Sequence, residues 1–170
     1  QLDNKFIRTL IEFLSGVDRR AILPKFYHKT FNSRSKSFGS IVNKSAPAYG
    51  RKAVLYSTCF VNFNNPNMGE LTQKVLAHNG VITQAVYPNC CGMPQLEQGN
   101  IEKVADNAMK VAKEMRKWID DGYDIIALTP SCSLMLKYEW PLILAGNEDV
   151  IRLSKATFDI TEYIVNISRN

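Results

Sequence analysis

Lys52-Ala53-Val54-Leu55-Tyr56-Ser57-Thr58-Cys59 is the stretch on which the reading of this chain turns. Ala53 to Ser57 is a short apolar run of strand type, and a cysteine stands just past its end. The same arrangement recurs twice downstream. Val81 to Val86 is a second strand, followed by Cys90 and Cys91. Asp124-Ile125-Ile126-Ala127-Leu128 is a third, followed by Cys132. Helical segments separate the three strands. Asn65-Pro66 opens the first, with Asn as cap and Pro in the first turn; Met68, Leu71, Val75 and Leu76 form its apolar stripe, and Asn79-Gly80 ends it. Asn100 caps a long helix whose stripe is Ile101, Val104, Ala108, Val111, Ala112, Met115 and Ile119, stopping at Asp120-Asp121-Gly122. A short helix is expected after Ser131, broken at Pro141. A last helix is expected from about Asn147, with Val150, Ile151, Ser154, Phe158, Thr161 and Ile164 on one face. Strands alternating with helices predict an α/β fold: a small parallel sheet of three to four strands with helices on both sides.

The segment before Lys52 has a different character. Phe6, Ile7, Leu10, Ile11 and Leu14 share one helical face, and Gly16 is a stop. Pro24 follows, and Thr30 to Gly50 reads as a polar exposed loop. Residues 1–52 hold 11 Lys and Arg against 3 Asp and Glu, whereas residues 53–170 hold 10 against 13. The net charge of +5 is therefore a basic arm of +8 on a body of −3. Such an arm is a solvated linker, or docks on an acidic partner or an anionic membrane surface. No nucleic-acid reader motif is present and the aromatics do not interleave with the basic residues, so nucleic acid is not the expected partner. The expected organisation is an arm and linker over 1–51, a cysteine-bearing α/β domain over 52–146, and a C-terminal helix over 147–170 leading to a further segment of a longer protein. No apolar run approaches the about 18 residues of a membrane span. No secretory signal is visible at the start of the sequence, so the expected location is the cytoplasm, including the inner face of its membrane.

Four cysteines without a secretion signal argue for metal or catalytic chemistry rather than a disulfide framework. In open parallel sheets, ligands collect outside the carboxyl ends of the strands. Cys59, Cys90, Cys91 and Cys132 all lie past strand ends, separated by 31 and 41 residues, each one helix-containing crossover. Four thiolates suit a soft metal, either zinc or an iron–sulfur cluster. The spacing is neither that of a zinc ribbon nor that of a small ferredoxin. Adjacent cysteines reach one centre only where the backbone turns, and Gly92 permits that turn. A multi-iron cluster is wider than one ion and accepts adjacent thiols more readily. The helix after Ser131 is expected to point its positive end at Cys132. The plainer alternatives are cysteines used as small hydrophobes, or a strained Cys90–Cys91 disulfide. Among the neighbours, Asn62, Asn64 and Asn65 are expected to supply a helix cap. Met135, Trp118 and Trp140 are expected to be packing residues, His78 a surface residue of a helix end, and Lys137 and Glu139 a solvated face.

Three runs carry a resemblance. STCFVNFNNPNMGE (57–70), PNCCGMPQLEQGN (88–100) and PSCSLMLKYEWP (130–141) resemble the CCG, or cysteine-rich, domain. That domain occurs in the heterodisulfide reductase B subunit, the anaerobic glycerol-3-phosphate dehydrogenase C subunit and lactate-utilisation protein A. The resemblance implies that Cys59, Cys90, Cys91 and Cys132 ligate an iron–sulfur cluster, and that the chain relays electrons from a flavoprotein dehydrogenase subunit toward a quinone. The heterodisulfide reductase form ends in CxxC, whereas this chain has Cys132-Ser133-Leu134-Met135. Lacking that fifth thiol, it matches a four-thiolate 4Fe-4S cluster, as in the glycerol-3-phosphate dehydrogenase type. A disulfide-reducing catalytic cluster and a four-cysteine zinc interaction domain are the alternative functions.

Overall fold

A computed structural model describes residues 4–36 and 41–169. The polar start at 1–3, part of the polar stretch at 37–40 and the terminal Asn170 lie outside the described residues. In chain order the elements are α1 (Lys5–Ser15), α2 (Phe31–Ser35), β1 (Lys52–Tyr56), α3 (Pro66–His78), β2 (Ile82–Val86), α4 (Met93–Glu97), α5 (Ile101–Asp120), β3 (Asp124–Ala127), α6 (Pro130–Leu134), α7 (Trp140–Ile143), α8 (Glu148–Ala156), β4 (Thr157–Asp159) and α9 (Ile160–Ser168). π-helical turns occupy Phe60–Asn64 and Met135–Glu139. The four strands form one parallel sheet in the order β2-β1-β3-β4, with Leu55 of β1 paired to Ala85 on one side and Ile126 on the other. The fold is therefore the α/β class read from the strand–helix alternation.

Alternate strand residues feed two cores. Val54, Tyr56, Ile125 and Ala127 pack against Val104, Ala108, Val111, Ala112 and Met115 of α5 and Val150 and Leu153 of α8. Ala53, Leu55 and Ile126 face the other way, onto Phe31, Leu76, Tyr163 and Ile167. Strands covered on both faces are apolar throughout, which is why they read as continuous runs rather than alternations. The crossover from β1 leads outward to β2. The next passes back across β1 to β3, so the switch point lies between β1 and β3, and ligands of such sheets collect at its carboxyl ends.

Several expectations are corrected. The inner face of α3 is Pro66, Gly69, Gln73, Leu76 and Ala77, while Leu71 and Val75 are 60% and 50% exposed. The helix is rotated because Gly69 receives the ring of Phe31, so closely that a Cβ there would lie 2.5 Å from it. The polar stretch after Thr30 is accordingly not all exposed loop: Phe31 of α2 is fully buried, and Ala48 is buried as well. The last helix is interrupted. Thr157–Asp159 forms the edge strand β4, and α9 starts afresh from a capping box between Asp159 and Glu162. Pro141 does not break its helix either. The N–H of Trp140 reaches back to the Met135 carbonyl in a π turn, and Pro141 falls in the first turn of α7, where its missing N–H costs little. Nor does an Asn side chain cap α3: Asn65 takes the cap position with no side-chain bond. Instead, Asn62 Oδ1 accepts the Asn32 N–H at 3.0 Å and Asn64 Nδ2 donates to the Lys25 carbonyl at 2.8 Å. The arm helix α1 forms as expected between Asn4 and Gly16; of its apolar face, Ile7 and Ile11 are half-buried while Phe6 and Leu14 are 79% and 73% exposed.

Candidate metal centre

The carboxyl edge of the sheet carries the four cysteines on three loops. Cys59 follows β1 and leads into the first π turn, Cys90 and Cys91 follow β2, and Cys132 lies in the first turn of α6 after β3. The helix therefore does not point its end at Cys132, as expected from the sequence, but contains it. The Cys132 N–H donates to the Thr129 carbonyl at 2.9 Å. Cys91 and Cys132 are buried, Cys59 and Cys90 half-buried. The Cys91 thiol donates to Cys132 Sγ at 3.2 Å.

The turn between the adjacent cysteines is built as the glycine suggests. Gly92 adopts φ 82, in the left-handed region, and its N–H points to Cys90 Sγ at 3.5 Å. Asn89 Oδ1 accepts the Cys90 N–H at 2.8 Å, and Asn89 Nδ2 donates to Asn107 Oδ1 on α5 at 3.1 Å. From below, the buried Tyr56 hydroxyl donates to the Asn89 carbonyl at 2.7 Å, and Trp140 Nε1–H donates to the Cys91 carbonyl at 3.0 Å. The strand, the long helix and the α7 turn thus each hold one point of the two-cysteine turn.

The thiols interact as donors and acceptors among themselves. Hydrogen bonds with the thiols of Cys59 and Cys91, followed by the Gly92 N–H, hold the Cys90 thiol below its ordinary range. The same bond pushes Cys59 up, and burial adds to it. Cys91 is pushed up by its bonds with Cys132 and Cys90 and by burial, and Cys132 is lowered as the acceptor of the Cys91 bond. Burial, then the charges of all four cysteines, pushes the half-buried Tyr87 hydroxyl to about 12. The four sulfurs thus act on one neighbouring group. Among the described residues, no three Cys, His, Asp or Glu side chains surround a position suited to a single metal ion. The donor set is nevertheless coherent: four soft sulfurs on one edge, Cys91 and Cys132 in direct contact. That chemistry fits a thiolate-ligated iron–sulfur group, which spreads its ligands over several metal atoms.

The remaining singled-out residues divide plainly. Met135 is fully buried in the core shared by Cys91 and Cys132. Lys137 is tied to Glu162 at 2.6 Å and so is directed toward α9. His78 lies in the last turn of α3, and its carbonyl accepts from Asn43 Nδ2 at 3.1 Å. Trp118 packs edge-on against Tyr123. The supports of the site, Tyr56, Asn89, Asn107 and the indole N–H of Trp140, escaped the sequence reading. Their partners stand 18 to 49 residues away, and no local pattern marks them.

A parallel sheet that gathers four thiols at its carboxyl edge defines a cysteine-rich α/β module. The chain belongs to the CCG family: the model described as a cysteine-rich domain matches residues 53–137. It is 29% identical over 142 residues to the C subunit of anaerobic glycerol-3-phosphate dehydrogenase from Escherichia coli (strain K12), covering 82% of this chain and 35% of that protein. It is 34% identical over 123 residues to lactate utilization protein A of Geobacillus thermodenitrificans, covering 69% of this chain and 49% of that protein. To lactate utilization protein A of Bacillus pumilus it is 30% identical over 125 residues, covering 68% and 49%. The chain thus spans between about a third and a half of the length of these relatives. No solved structure matches significantly.

Proposed function

We propose that this chain is an iron–sulfur electron-transfer module, with Cys59, Cys90, Cys91 and Cys132 as ligands of a 4Fe-4S cluster. It would relay electrons from a flavoprotein dehydrogenase subunit of the glycerol-3-phosphate type toward a quinone. The observation that carries the reading is the donor set: four thiols on three strand-end loops at one edge of the sheet, with Cys91 and Cys132 in contact at 3.2 Å across the switch point. Bound there, a cluster supplies one-electron transfer at a potential tuned by its surroundings. The chain's own residues do the rest. Tyr56 and Trp140, both fully buried, close the inner side of the site to water. Cys59, Cys90 and the exposed Phe60 leave an outer side where a redox partner can approach. Two adjacent thiols on one turn suit an iron–sulfur group, which spreads its ligands over several metal atoms, better than a single zinc ion.

The basic arm belongs to the same reading. Its residues frame a concavity of about 1080 Å³ that includes Lys5, Arg8, Arg19, Arg20, Lys25 and His28, beside the partly exposed apolar face of α1. An apolar stripe flanked by cations suits the surface of an anionic membrane. No helix among the described residues is long and apolar enough to cross one, so contact would be peripheral. The central experiment is anaerobic purification with iron, sulfide and zinc quantitation. Brown protein with iron and sulfide in near-equal amounts is expected. Colourless protein with stoichiometric zinc would sink the redox reading.

A further inference from the structure

Thr58 and Thr129 stand just past the ends of the two central strands, next to Cys59 and three residues before Cys132. Thr58 is the one non-glycine residue at positive φ among the described residues, at 49°. For a β-branched residue that conformation is an outlier, because Cβ crowds the backbone. Persistent strain of this kind needs surrounding contacts to hold it, and it concentrates at functional sites. Here the contacts are specific. Thr58 Oγ1 accepts the Val61 N–H at 3.2 Å and lies 3.0 Å from Thr129 Oγ1, across 71 residues of sequence. Thr58 is 1% exposed, so water does not compete for its hydroxyl.

Each threonine also governs the cysteine after it. The turn at Thr58 redirects the chain out of β1, placing Cys59 at the head of the π turn, and the Thr58 carbonyl accepts the Asn62 N–H at 3.0 Å. The Thr129 carbonyl accepts the N–H groups of Cys132 and Ser133 at 2.9 and 3.0 Å. The paired register of β1 and β3 ends at Tyr56 and Ala127, so both cysteine loops extend beyond the ladder, and the hydroxyl bridge spans them there.

We infer that the Thr58–Thr129 hydroxyl bridge is a brace that sets the separation of Cys59 and Cys132. Both threonines are positioning residues for the metal group. The inference rests on the iron–sulfur reading of the four thiols, and its test is separable from that reading.

The test uses the 170-residue chain, loaded anaerobically with iron and sulfide, with Thr129→Val, Thr129→Ser and Thr58→Val variants. Iron release to a chelator and the electron paramagnetic resonance spectrum of the reduced protein are measured beside the melting temperature of the metal-free form. Thr129→Val should take up iron and sulfide, then release iron roughly three- to tenfold faster than wild type, the scale of one lost hydrogen bond. Its spectrum should change, while Thr129→Ser restores both properties. Wild-type release and spectrum in Thr129→Val would overturn the brace, as would a serine variant that behaves like the valine one. Should Thr129→Val fail to fold, Thr58→Val removes the bridge from the other side, together with the bond from the Val61 N–H, and should speed iron release at least as much. Failure of both to fold would show that the bridge holds the fold rather than the thiol spacing. If wild type takes up zinc without sulfide, the iron–sulfur reading falls while zinc release from the same variants judges the brace. Uptake of no metal at all overturns both.

Discussion

The indole Nε1–H of Trp140 donates to the carbonyl of Cys91 at 3.0 Å, joining the start of α7 to the two-cysteine turn 49 residues earlier. Both residues are buried, so no solvent can replace the bond. Trp140→Phe should destabilise the metal-free protein by about 1–3 kcal/mol, the cost of a buried polar group left unpaired. The same change should lower iron content, because the Cys90–Cys91 turn loses one of its supports. Urea denaturation beside iron quantitation reads both effects, and an unchanged midpoint would show that the bond contributes nothing.

Each cysteine should matter separately. Serine at Cys59, Cys90, Cys91 or Cys132 replaces a thiolate by a harder and far more basic oxygen donor. Each single variant should lose most of the iron and sulfide held by wild type. His78→Ser, on the last turn of α3, should keep wild-type content. Full occupancy in any one cysteine variant removes that residue from the ligand set.

Stability should depend on pH through Asp124. Burial at the start of β3 pushes its carboxyl above the ordinary range, against the opposing pull of Tyr163 and Arg51. A carboxyl raised by folding contributes stability that is complete below its unfolded pKa and is lost as pH rises through the folded one. At neutral pH the charged form is therefore a net cost, which Asp124→Asn removes. The variant's stability relative to wild type should be higher at pH 7 than at pH 3, as read by urea midpoints. Equal differences at the two pH values would discount the group.

The arm should bind by charge. If residues 4–36 lie on an anionic membrane surface, vesicles containing phosphatidylserine should sediment the protein at low salt and release it as ionic strength rises. Phe13→Ser, which alters the most exposed aromatic of α1, should weaken binding as well. Sedimentation indifferent to salt would leave the arm as a linker.

The alternation of strands and helices, and the position of every cysteine past a strand end, were legible in the order of residues alone. Those features rest on local signals, namely continuous apolar runs, Asn caps and Gly stops, so they survive without knowledge of the partners. The left-handed turn at Gly92 was legible for the same reason, since a glycine after two cysteines marks a backbone turn. Other features depend on which distant segments meet. The face that α3 buries was set by the ring of Phe31 against Gly69, a contact 38 residues away. The strand β4 exists because β3 offers Thr157–Asp159 an edge to pair with, although the capping box of Asp159 and Glu162 was a local sign that a new helix begins. The strained turn of Thr58 and its bridge to Thr129 have no signature in either neighbourhood. A threonine adopts that conformation where a distant hydroxyl and a nearby N–H hold it, and the distant one is supplied only when β1 and β3 lie side by side.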